Sequence, residues 1–192
     1  MHYQKFPLKW WYGLAFNLSL VALTLAVMLV IQRSPVELVI IDAATGRLYG
    51  RWSVKNGSEF AVEFVHSVNQ SPVKDTFMVS GTTIRPVSTR FKSFGAGMQT
   101  ELEPGQRLTR DGDAMVITGF TQSFRKLRYI VGTVSDHSLF INGAEISLRD
   151  LCGKNAHLVI RLYRTVLGLS PASLLHEVQA AHALALQGTM PF

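Results

Sequence analysis

The sequence predicts a mainly β protein, an antiparallel β-sandwich or barrel, preceded by one N-terminal transmembrane helix and followed by two C-terminal helices. Three observations predict it. Short apolar-rich runs separated by turn signals recur between Val36 and Leu148, enough for about nine to ten strands. No charged residue occurs from Gly13 to Ile31, close to the ~20 apolar residues that cross a bilayer. Beyond Ala156 the apolar residues fall at helical spacing. The divisions that follow are a flank over 1–12, an anchor over 13–32, a β-domain over 36–150 and a helical tail over 156–188.

The 192 residues are 47 % hydrophobic and carry a formal net charge of +6. That supports a real core, and the single cysteine, Cys152, excludes an intrachain disulfide framework. In the anchor, Trp10, Trp11 and Tyr12 suit an interfacial aromatic belt. A cleaved signal peptide would need a small-residue cleavage site, whereas this core ends Met28-Leu29-Val30-Ile31-Gln32-Arg33. Lys5 and Lys9 lie on the short flank, and Arg33, Arg47 and Arg51 lie beyond the helix. Charges within a translocated folded domain weigh less than those on a short flank. The expected arrangement is therefore single-pass, with the N-terminus cytoplasmic and the main domain periplasmic or extracellular. Setting Lys5 and Lys9 aside leaves 17 of the 19 basic residues against 13 acids, or +4. This mild balance suits a membrane-proximal surface or an anionic partner. No aromatic-basic motif or basic helix points to nucleic acid.

Val36–Asp42 reads as the first strand, Thr45-Gly46 as a turn and Arg47–Val54 as the partner. Asn56-Gly57 is a strong two-residue hairpin signal. The runs Glu59–Val68 and Val73–Val79 then flank the polar loop 69–72. Gly81-Thr82-Thr83 marks another turn, Ile84–Phe94 reads as extended, and Gly95-Ala96-Gly97 breaks it. Gln106–Thr109 and Ala114–Phe120 flank Asp111-Gly112. Lys126–Val131 follows, and then Ser138–Ile141 and Ala144–Leu148 around Asn142-Gly143, a second strong hairpin signal.

In the tail, Leu158, Val159, Leu162 and Val166 predict a helix over Ala156–Leu167, with Arg161 and Arg164 as its charged positions. Ser170-Pro171 is a good helix start, and the second helix would end at Gly188. These helices could pack on the sheet, or meet the lipid bilayer or a membrane partner through Arg161 and Arg164.

Little in the sequence supports catalysis, and no enzymatic activity is expected. Ser67 neighbours His66, but adjacent strand residues point to opposite faces, and no G-x-S-x-G elbow occurs. Cys152, in the run Asp150-Leu151-Cys152-Gly153, reads as structural. The six histidines lack metal-ligand spacing, so neither a metal nor a cofactor is expected. Gly95 and Gly97 could offer backbone N–H groups to an anion or simply make a tight turn.

The most informative chemistry is a pair. Alternation places Val62, Phe64, His66 and Val68 on one face, and Val73, Asp75, Phe77 and Val79 on another. Folded as a hairpin, Val68 would face Val73, His66 would face Asp75, Phe64 would face Phe77 and Val62 would face Val79. An imidazole would then oppose a carboxylate on an apolar face. The pair could pin the hairpin, or orient a ligand or a pH-dependent contact together with Ser67, Asn69, Ser71, Gly95 and Gly97.

The run His66-Ser67-Val68, with Ser71-Pro72-Val73, an acid at Asp75 and Phe94-Gly95-Ala96-Gly97, resembles the bacterial domain-of-unknown-function family 1850. The resemblance covers roughly Phe60 to Leu148. Members are small anchored or exported proteins associated with TAXI-type TRAP transporters. The resemblance therefore implies an accessory subunit of a secondary transporter for organic anions in the bacterial inner membrane. Its partner would be the integral-membrane permease or its solute-binding protein. The alternative is an independent small-ligand-binding module centred on His66, Asp75 and Gly95–Gly97; an extracytoplasmic hydrolase is the least favoured.

The anchor has a direct test. The intact mass of the membrane-extracted protein should correspond to a chain that keeps residues 13–31. A mature chain beginning near Ser34 would overturn it.

Overall fold

The computed structural model describes residues 8–66, 70–92 and 101–165. Its first unit ends at Ser34 and its second starts at Pro35. The first contains α1 (Leu8–Arg33), 26 residues long, which at ~1.5 Å per residue extends roughly 39 Å. Its polar side chains return to its own backbone. Asn17 donates to the Gly13 carbonyl at 2.7 Å, Ser19 to Ala15 at 2.8 Å and Thr24 to Val21 at 2.7 Å. The described side chains run unbroken only from Ala15 to Val30. Among the described residues no helix is long and apolar enough to cross a membrane.

Among the described residues the second unit holds eleven strands in two antiparallel sheets. They are β1 (Val36–Asp42), β2 (Leu48–Val54), β3 (Glu59–Val65), β4 (Pro72–Ser80), β5 (Thr83–Phe91), β6 (Arg107–Asp111), β7 (Ala114–Thr118), β8 (Lys126–Ile130), β9 (His137–Ile141), β10 (Ala144–Ser147) and β11 (His157–Arg164). A short α2 (Leu148–Cys152) separates the last two. The four-stranded sheet has the order β2-β1-β11-β8, and the seven-stranded sheet β10-β9-β3-β4-β5-β7-β6. The architecture is sandwich-like, with no closed barrel among the described residues.

Alternation builds the core. Leu38 and Ile40 of β1, with Leu158, Ile160 and Leu162 of β11, pack in one cluster with Phe60, Val62, Phe77, Val79, Leu139 and Ile141 of the larger sheet. Phe60 and Phe77 stack with ring centroids 5.4 Å apart. A second cluster joins Val73, Phe91 and Ile117.

Several turns fall where the sequence places them. Asn142 and Gly143, at φ 51° and 79°, connect the paired strands β9 and β10, as a type I′ turn requires. Asn56-Gly57 behaves differently: its flanking strands β2 and β3 lie in different sheets. The turn is a corner tied to the β4–β5 region. Gly57 N–H donates to Val79 O at 2.8 Å, and Asn56 Oδ1 accepts from Gly81 N–H at 2.7 Å.

Two bulges matter. Tyr49 is extra between the pairs Ile40↔Gly50 and Ile41↔Leu48, and its hydroxyl donates to Asp42 at 2.8 Å. Val87 is extra between Thr76↔Ser88 and Phe77↔Pro86. Pro86 cannot donate a ladder bond, and proline in a strand interior is typically accommodated by such a bulge.

One correction concerns the tail. The helix expected over Ala156–Leu167 is strand β11, paired with β1 and β8 on its two sides. Its Leu158, Ile160 and Leu162 also alternate, and two open neighbouring edges decide in favour of the strand. The second tail helix falls outside the described residues.

Since β11 is an interior strand, a chain ending at Asn155 should fail to give a cooperative unfolding transition. Ile160→Ala, at a fully buried position, should cost about 2–5 kcal/mol in denaturant unfolding.

Candidate functional site

The β3–β4 register fixes the site. Phe60 pairs with Phe77, Val62 with Asp75 and Phe64 with Val73. This differs by four residues from the register that opposes His66 to Asp75. An even slip keeps every apolar side chain inward, so alternation alone cannot discriminate between the two. The turn decides. His66 N–H donates to Ser71 O, and Gln70 N–H to His66 O, each at 2.9 Å, so His66 closes the turn opposite Ser71. His66 and Asp75 are therefore not cross-strand partners.

Asp75 still points inward, and the bulge at Val87 brings Thr89 opposite it. The Thr89 hydroxyl donates to Asp75 Oδ1 at 2.7 Å. Burial pushes the Asp75 carboxyl above its ordinary value, and the Thr89 hydrogen bond only partly opposes this. From the other sheet, Tyr129 packs against the main core. Burial, and then the Asp75 charge, raise its phenol above the ordinary range.

His137 completes the group. It pairs with Phe64 across β3–β9 and stacks on that ring at 5.2 Å, while Tyr129 meets it edge-on at 6.2 Å. Gly132 N–H donates to His137 Nδ1 at 3.4 Å, which places the neutral ring's proton on Nε2. Burial lowers the imidazole's pKa, against the pull of Asp136.

Asp136 anchors the adjoining loop. Its carboxylate accepts from His137 N–H at 2.7 Å, from Arg149 N–H at 3.0 Å and from the Ser147 hydroxyl. Burial raises this carboxyl, but those hydrogen bonds outweigh it and hold it below its ordinary value. Arg149 also donates to Gly132 O at 3.3 Å.

The result is a polar belt of Asp75, Thr89, Tyr129 and His137 at the edge of the main core. It combines a reluctant acid, a hydroxyl, a phenol and a neutral imidazole, a set suited to hydrogen-bonding a polar guest. Among the described residues no group of three or more His, Cys, Asp or Glu side chains could hold a metal ion. Cys152 is half-buried, and burial leads in pushing its thiol up to about 11, away from thiolate chemistry.

Of the sequence-predicted residues, His66 and Ser71 sit together at the β3–β4 turn. Ser71 is buried, and its hydroxyl lacks a partner among the described residues. Ser67, Asn69, Gly95 and Gly97 lie outside the described residues. Phe91, where β5 ends, pairs with Val73 at this same end of the sheet. Arg161 and Arg164 fall on opposite faces of β11 rather than on one helix face. Thr89, Tyr129 and His137 were not singled out from the sequence. Tyr129 and His137 lie in alternating runs that mark inward faces, but alternation does not say which inward faces meet.

Residues 60–148 match the model of a family described as Domain of unknown function (DUF1850), which supports the family resemblance read around His66 to Gly97. The matched span takes in the whole polar belt and β4 to β10, whereas β1, β2 and β11 fall outside it. Nothing matches among curated proteins or among solved structures.

The raised Asp75 carboxyl sets a pH dependence. Its folded form titrates above the ordinary 3.8, so the unfolded chain loses that proton first as pH rises. Stability falls through the window from 3.8 up to the raised value and stays lower above it. Asp75→Asn escapes that loss. It should unfold at higher denaturant concentration than the wild type at neutral pH, with the gap closing below the ordinary carboxylate range. An equal gap at both ends would show that Asp75 does not titrate this way.

Proposed function

We propose that this chain is a membrane-anchored extracytoplasmic accessory subunit that binds a partner and does not catalyse a reaction. The observation that carries this reading is the polar belt. Asp75, Thr89, Tyr129 and His137 lie together inside the family-matched span, near the turn closed by His66 and Ser71. A hydrogen-bonding patch beside apolar clusters suits recognition of a polar group on a partner.

The apolar run 13–31 supports the anchor, and Lys5 and Lys9 support a cytoplasmic N-terminus. On the family resemblance, the partner is the permease of a TAXI-type TRAP transporter for organic anions, or its solute-binding protein, at the bacterial inner membrane. The buried Asp75 carboxyl favours a second reading, because a carboxyl held by Thr89 alone among its described hydrogen-bond donors can serve a small ligand. In that reading the chain is an independent small-ligand-binding module.

Co-purification of the full chain in mild detergent separates the two. The accessory reading expects a multi-helix membrane protein to follow the chain. His137→Phe, which keeps the stack on Phe64 and removes both ring nitrogens, should weaken that retention about tenfold. A chain that purifies alone, with a small molecule seen by native mass spectrometry, would favour the second reading.

A further inference from the structure

β6 (Arg107–Asp111) ends the seven-stranded sheet among the described residues, and all five of its residues are exposed. An edge strand offers a row of unpaired backbone groups, which folded proteins usually blunt with lysine, proline or a bulge. β6 contains neither lysine nor proline. Its pairing with β7, from Arg107↔Thr118 to Asp111↔Ala114, runs without a bulge. The hairpin decides which backbone groups reach the open side. The two-residue loop Gly112-Asp113, with Gly112 at φ 64°, makes Asp111↔Ala114 the hydrogen-bonded pair beside the turn. Bonded and non-bonded pairs alternate along an antiparallel ladder. Arg107, Thr109 and Asp111 therefore turn their N–H and C=O groups to β7, and Leu108 and Arg110 turn theirs outward.

We infer that this edge pairs antiparallel with β6 of a second copy of the chain, about a two-fold axis through Thr109. Such an isologous contact must be self-complementary, and in full overlap this strand is. Leu108 and Arg110 of the other copy exchange backbone hydrogen bonds, and the symmetric pair does the same. Thr109 faces Thr109 as the close, non-bonded pair, a favourable cross-strand match. Arg107 faces Asp111 at both ends. Arg107 makes no ion pair among the described residues. Asp111 is held by Arg90 but has a second carboxylate oxygen with which to accept. On the inner face the aliphatic stem of Arg110 covers Leu108, which is 40 % exposed in the single chain.

The other sheet edges lack this match. Paired about its centre, β8 sets Arg128 against Arg128 and β2 sets Arg51 against Arg51, and like charges directly opposed repel. β2 also carries the bulge at Tyr49. β10 has four residues, and its self-pairing brings no opposite charges together.

Disulfide trapping of the full chain in mild detergent, in a Cys152→Ser background, reads the register. Two Thr109 Cα atoms in a non-bonded pair lie about 4.5 Å apart, within disulfide reach. The two copies of Arg107 lie about 14 Å apart at ~3.4 Å per residue, outside it. Under mild oxidation Thr109→Cys should therefore link into a dimer at least ~10-fold faster than Arg107→Cys. Arg110→Pro removes an edge N–H and leaves the ladder to β7 whole. Sedimentation should show its dimer Kd raised at least ~10-fold, with Tm unchanged. If Arg110→Pro does not fold, Arg107→Asp, which opposes carboxylate to carboxylate, should raise the dimer Kd by the same factor. A chain that stays monomeric overturns the inference, as do equal trapping rates at the two cysteines or a dimer that the folded variant leaves unchanged.

Discussion

The pairing of β3 with β4, set by the Phe60–Phe77 stack and by the turn closed at His66 and Ser71, is the constraint on which the site depends. β3 and β4 are the third and fourth strands of seven, so their register propagates both ways. It sets the Phe64–His137 stack, made across β3 and β9, against the Asp75–Thr89 bond, made across β4 and β5 with its bulge. A two-residue slip would keep apolar side chains inward but carry the Asp75–Thr89 pair along the sheet away from the His137–Phe64 stack. Aromatic stacking and turn closure choose among registers that hydrophobic burial leaves degenerate.

That register also explains why Asp75 can be tolerated. An unpaired buried carboxylate is costly, and the available relief is to stay protonated or to gain a hydrogen bond. Thr89 provides the bond, and burial drives the shift towards the neutral form. His137 is pushed the same way, towards its uncharged form. Both shifts run against charge in the belt, whose hydrogen-bonding atoms remain. Asp136, just outside, is held ionised by three donors and fastens the loop that precedes β9.

Much of the sheet framework is legible in the sequence because it is local. Val36–Asp42 is the first strand as expected, and Asn142-Gly143 makes its hairpin. What the sequence leaves open is non-local. Asn56-Gly57 has the chemistry of a hairpin, but β2 and β3 belong to different sheets, which no turn dipeptide can indicate. In β11, Leu158 and Leu162 satisfy helical and strand periods alike, and only the waiting edges of β1 and β8 settle the choice. Among the site residues, alternation turns Asp75 inward with Val73 and Phe77 but cannot fix the register of His66 against it. Tyr129 meets His137 only because two sheets stack, a relation carried by no short stretch of chain.

The belt consequently depends on parts of the chain beyond the family-matched span. Tyr129 lies on β8, whose partner in the four-stranded sheet is β11, and β11 is held in turn by β1. Both β1 and β11 fall outside residues 60–148. The matched span supplies all four belt side chains, but without β1 and β11 the strand that carries Tyr129 has no sheet to sit in. Residues 35–165 are therefore one mechanical object: the seven-stranded sheet sets the acid and the imidazole, and the four-stranded sheet presses a phenol onto them. Changes in the flanking strands should accordingly reach the belt through the position of Tyr129, without touching any residue that would contact a guest.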